Sequence, residues 1–122
     1  MTNFEKQIQI VLDDSNFSNV ELIYTSDNKK TFNVYITNAN SSYEIQATIN
    51  EDINNLENNQ LRTIIARSLI EAITEEYEYT YDYKHNYIKT LKCDPSLVKE
   101  TLQTLLMLQN FYEAIGKTIK SK

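Results

Sequence analysis

The chain has 122 residues, 41% apolar and 24% charged, and a formal net charge of −5 from 12 basic and 17 acidic side chains. That length suits one domain, residues 1–122, with a modest core, and the acidic balance argues against direct binding to phosphate backbones and for soluble, protein-directed work. One cysteine, Cys93, and one glycine, Gly116, exclude an intramolecular disulfide, a cysteine-built zinc site and a glycine-rich phosphate loop.

Thr2 followed by Glu5 is a capping box and predicts a helix start. Phe4, Ile8, Val11 and Leu12 then form one apolar stripe at i, i+4, i+7 and i+8, ended by Asp13, Asp14, Ser15 and Asn16. Three strand-like runs follow at 20–25, 31–37 and 42–49, separated by turn residues around Asp27 and Asn38. Short connections predict an antiparallel meander. Val20, Leu22 and Tyr24 share a face of the first run, Phe32, Val34 and Ile36 of the second, and Tyr43, Ile45, Ala47 and Ile49 of the third. A sheet apolar on one side needs helices to cover it.

Residues 50–60 are polar and asparagine-rich and read as a loop. Leu61, Ile64, Ile65, Leu69, Ile70, Ala72 and Ile73 then recur at helical spacing over 61–76, with an apolar face wide enough to pack on two sides.

In the segment 76–93, Tyr77, Tyr79, Tyr81 and Tyr83 alternate with Glu78, Thr80 and Asp82, a strand period. A hairpin turning at Lys84, His85 and Asn86 would set Glu78 against Lys92, Tyr79 against Leu91 and Thr80 against Thr90. The chain is then α+β, an antiparallel sheet covered by helices in the order α-β-β-β-α-β-β-α. Continuation of the preceding helix through 77–92 would instead give α-β-β-β-α-α. Asp94 before Pro95 starts a last helix, whose stripe runs from Leu97 through Leu105 and Tyr112 to Ile119, with Gly116 placed to cap it ahead of a basic tail.

No residue set declares a chemistry. His85 and Cys93 read as a solvated loop histidine and a small buried thiol, because nothing else supplies an orienting partner or an oxyanion cradle. The acids Glu71, Glu75, Glu76, Glu78 and Asp82 have no basic residue between them, but helix and strand geometry sends them in different directions, unlike the converging oxygens of a hard-cation site. They read as a solvated face or an acidic docking patch. The tyrosine row suits an interface, having large amphipathic rings on one strand face. A non-enzymatic protein without metal or cofactor is expected. The first residues lack a signal-peptide pattern and no run approaches a membrane span, so a cytoplasmic setting is expected.

With the hairpin in place, the element order, size, acidity and long final helix LVKETLQTLLMLQNFYEAIGK resemble the class I type III secretion chaperones, the Tir-chaperone family. The resemblance implies a homodimer that holds an extended segment of a secreted effector protein. By element, it implies Leu69, Ile73, Tyr77, Tyr79 and Tyr81 at the dimer interface and Phe4, Ile8, Val11, Val34 and Ile36 in client binding. The helical alternative is similar to small phage-encoded inhibitors of nucleic-acid enzymes, anti-CRISPR proteins among them. There Glu75, Glu76, Glu78 and Asp82 would stand in for phosphates.

Overall fold

The computed structural model of the protein describes residues 2–15, 20–26, 30–37, 42–76, 80–82, 87–89 and 95–120. Its elements are α1 (Asn3–Asp14), β1 (Val20–Ser26), β2 (Thr31–Thr37), β3 (Ser42–Thr48), α2 (Asn58–Glu76), β4 (Thr80–Asp82), β5 (Tyr87–Lys89) and α3 (Pro95–Lys120). This is the α+β order with the hairpin; the helix does not continue through 80–82 and 87–89. No helix among the described residues is long and apolar enough to cross a membrane.

The capping box forms at α1: Glu5 donates its backbone N–H to Thr2 Oγ1 at 3.1 Å, and Glu5 Oε1 accepts from the Thr2 backbone at 3.4 Å. The stripe Phe4, Ile8, Val11 and Leu12 is buried, and Phe4 meets Phe32 of β2 edge to face at 6.0 Å between ring centres. β1, β2 and β3 form an antiparallel sheet in that order. Phe32, Val34, Ile36, Ile45 and Ala47 line its inner face under α1 and α2, while α3 packs along α2.

Four details differ from the sequence expectations. First, β1 has a bulge between Leu22 and Tyr24, so Tyr24 pairs with Asn33 and not with an inward residue. The extra residue, Ile23, reverses the alternation and leaves Tyr24 exposed instead of sharing a face with Val20 and Leu22.

Second, α2 begins at Asn58, inside the expected loop. The Glu57 carbonyl accepts the first helical hydrogen bond from Leu61, and Gln60 reaches back to accept from the Glu57 backbone N–H at 3.0 Å. This is the returning half of a capping box, built on a glutamate.

Third, the hairpin is offset by one residue: Thr80 pairs with Lys89, Tyr81 with Ile88 and Asp82 with Tyr87. The expected turn at Lys84, His85 and Asn86 lies outside the described residues.

Fourth, α3 does not stop at Gly116 but runs through it to Lys120. Gly116 is buried, yet a Cβ there would meet no heavy atom within 4 Å. Gly116→Ala is therefore expected to raise stability by about 0.5–1 kcal/mol, since alanine has the higher helix propensity and nothing blocks it. Urea denaturation measures this; an unchanged or lower midpoint would mean that the site has no room for the methyl group.

Candidate functional site

β3 is an edge strand whose one described partner is β2. Along it Glu44, Gln46 and Thr48 are exposed and alternate with buried Ile45 and Ala47. Beside that edge lies α2, and between them opens a groove of about 410 Å3. The strand side contributes Gln46, Thr48 and the following Asn50; the helix side contributes Ser68, Glu71, Ala72 and Glu75.

Among the described residues the lining is polar and anionic, with two carboxylates and no cationic side chain. Glu71 and Glu75 are one helical turn apart, a spacing at which like charges repel. Neither forms an ion pair among the described residues, where the salt bridge is Arg67 to Glu51 at 3.3 Å. Two hydroxyls in the groove are already engaged: Ser68 donates to the Ile65 carbonyl at 2.8 Å, and Thr48 Oγ1 lies 3.1 Å from Thr31 Oγ1. The groove thus offers a strand edge, amide groups and a pair of negative charges with no cationic partner among the described residues. Such a site can take an extended backbone and meet its cationic side chains.

No protein-family model, curated protein or solved structure matches the chain.

Several expected site residues lie elsewhere. Phe4, Ile8, Val11, Val34 and Ile36, expected to bind a client, are core residues between 0% and 9% exposed. The packing of α1 and α2 on the sheet consumes the apolar face that a client would need. Leu69 and Ile73, expected at a dimer interface, are 2% and 0% exposed and share a small void with Val34 and Ile36. The two expected sites thus merge into one core. Tyr81 pairs with Ile88 in the hairpin, its side chain outside the described set; Tyr77 and Tyr79 lie outside the described residues, as do His85 and Cys93. Of the acids, Glu75 lines the groove, Glu76 ends α2, Asp82 sits opposite Tyr87, and Glu78 falls outside the described residues. No group of three or more His, Cys, Asp and Glu that could hold a metal occurs among the described residues.

One further polar cluster is structural. Arg62 donates from Nε to Gln7 Oε1 at 2.6 Å and lies 5.9 Å from the centre of the Tyr112 ring. Tyr112 in turn donates its hydroxyl to Asp14 Oδ2 at 2.7 Å. Burial first, then the hydrogen bond and charge of Asp14, push the phenol above its ordinary value, against a smaller lowering by Arg62. A phenol so held stays protonated at neutral pH, which suits a tie between helices and not a proton-transfer role.

Proposed function

We propose that this chain is a non-enzymatic protein-binding module, a small acidic chaperone-like protein that holds an extended, basic segment of a client along β3. One observation carries the reading: the outer edge of β3, which pairs with no further strand among the described residues, runs beside Glu71 and Glu75, whose charges have no partner among those residues either. Main-chain bonds to a strand edge give affinity without demanding a particular sequence, and the carboxylates add a preference for cationic side chains. A chaperone for a segment of a secreted protein has those needs.

The expected result is saturable binding of a fluorescent, unstructured lysine-valine repeat peptide, read by anisotropy at low salt. Glu71→Lys combined with Glu75→Lys is expected to weaken that binding by roughly tenfold or more, and added salt to weaken the wild-type complex as well. Equal affinity in wild type and double variant would sink this assignment of the groove. Affinity capture from the source cells separates the client class: an exported protein held by a disordered segment favours the chaperone. The unpaired acids also favour a second reading, inhibition of a nucleic-acid enzyme by charge mimicry, and capture of such an enzyme would select it.

A further inference from the structure

The inner stripe of α3, formed by Leu97, Leu102, Leu105 and Tyr112, is buried. On the opposite side of the helix Leu106, Met107 and Phe111 are 49%, 72% and 57% exposed. From Thr101 to Tyr112 the sequence carries no charge, and the outer face sets Leu106 on one flank and Met107 and Phe111 on the other, with exposed Gln103 and Asn110 between them. Three large apolar side chains this exposed on an uncharged helix face suit a mixed interface, apolar at its flanks and amide-lined at its centre.

The charges at its ends indicate what covers it. Lys99, Leu106 and Glu113 are all exposed and follow one another at intervals of seven residues, so they lie on the same flank of the helix with a drift of about 20° per interval. Lys99 and Glu113 are equidistant from Leu106 and opposite in charge, and neither forms an ion pair among the described residues. When two antiparallel helices pack side by side, like flanks face each other. A second copy turned end for end about Leu106 therefore sets Lys99 against the partner's Glu113, Glu113 against the partner's Lys99, and Leu106 against its own equivalent. A parallel copy would set this flank against the opposite flank of its partner and leave the two charges unmatched.

We propose that the outer face of α3 is a self-association surface, on which a second copy of this chain packs antiparallel about a two-fold axis at Leu106. The contact is isologous, as a closed dimer requires. It runs from Lys99 to Glu113, about 21 Å at the rise of an α-helix, and so forms a weak, reversible dimer and not an obligate one. It uses neither the β3 groove nor the residues Leu69 and Ile73, and it stands whether or not the groove takes a client.

Sedimentation equilibrium of the full chain at low salt, from low micromolar to submillimolar concentration, tests it. The wild type is expected to show a concentration-dependent dimer, and Leu106→Lys, which sets two ammonium groups together on the axis, a monomer with an unchanged circular dichroism spectrum. Lys99→Glu and Glu113→Lys each turn two attractive pairs into repulsive ones and are expected to weaken the dimer roughly tenfold. The combined Lys99→Glu, Glu113→Lys chain restores both pairs and is expected to return to wild-type affinity. A wild type that stays monomeric, a dimer indifferent to Leu106→Lys, or a double variant no tighter than the single ones would each overturn the proposal. Peptide binding in the β3 groove, measured separately on Leu106→Lys, is expected to be unchanged.

Discussion

Replacing Tyr112 by alanine is expected to lower the unfolding free energy by about 3–5 kcal/mol, the range for deleting a buried aromatic ring. Few side chains in this protein connect as much. Tyr112 belongs to α3 and is 1% exposed, its hydroxyl ties to Asp14 at the end of α1, and its ring lies under Arg62 of α2. Removing it opens a cavity where the three helices meet and leaves the Asp14 carboxylate at an α1 C-terminus, where the helix dipole disfavours it. Tyr112→Phe separates the two contributions. It keeps the ring and loses the hydrogen bond, at about 1–2 kcal/mol, because Asp14 is exposed enough to be rehydrated.

The pair also has a pH signature. The folded protein holds this phenol above its ordinary value of 10.0, so the contribution is fully present below pH 10.0 and is lost as the pH rises beyond it, where the unfolded chain gives up the proton more readily. The stability difference between wild type and Tyr112→Phe is therefore expected to shrink in alkali. A loss below about 1 kcal/mol for Tyr112→Ala in urea denaturation would show that the helices do not meet on this ring.

What the sequence makes legible here is local and periodic. The Thr2 and Glu5 cap of α1, the inward face of β2 and the start of α3 at Pro95 each depend on residues within a few positions, and the structure places them as expected. The differences arise where a single residue breaks the count. Ile23 shifts the parity of β1, the hairpin pairs one residue out of the expected register, and Glu57 caps α2 without belonging to the usual capping residues. Gly116 illustrates the opposite failure, a residue with a strong terminal signal that helical packing overrides.

The candidate sites were less legible, for a physical reason. Apolar periodicity marks the face that is buried but not the partner that buries it, so Val34, Ile36, Leu69 and Ile73 fit a client groove, a dimer interface or a monomer core equally well. In the structure they are core. The groove residues Gln46, Thr48 and Asn50 alternate along the edge of β3 as any solvated strand face does, and only the position of α2 turns them into a lining. The outer patch of α3 was nearer to being readable. Leu106, Met107 and Phe111 fall outside the buried stripe in an uncharged run, around Gln103 and Asn110, and large apolar side chains left in water on a second side of a helix call for a second partner.

Ile73→Glu is expected to abolish cooperative folding at neutral pH, whereas a charge at a dimer interface would only separate subunits. Ile73 is 0% exposed and, with Leu12, Val20, Val34, Ile36, Leu69 and Leu105, surrounds a void of about 10 Å3. That is scarcely room for one water, and the hydroxyl of Thr101 there already donates to the Leu97 carbonyl at 2.7 Å. A carboxylate at this point would have neither hydration nor a cation. The lost isoleucine burial costs about 2–5 kcal/mol and the unpaired charge several more, against a total stability of about 5–15 kcal/mol for a domain of this size. Ile73→Val, which removes one methyl group, is expected to cost only about 0.5–1.5 kcal/mol and to unfold cooperatively. Near-ultraviolet circular dichroism and urea titration distinguish the outcomes. A folded Ile73→Glu chain with a wild-type midpoint and a smaller mass in solution would put Ile73 on a subunit interface and contradict the core packing. The same measurements on Leu106→Lys are expected to give the reverse pattern, an intact fold and a changed mass, because on α3 the exposed side faces water or a second copy and never the protein's own interior.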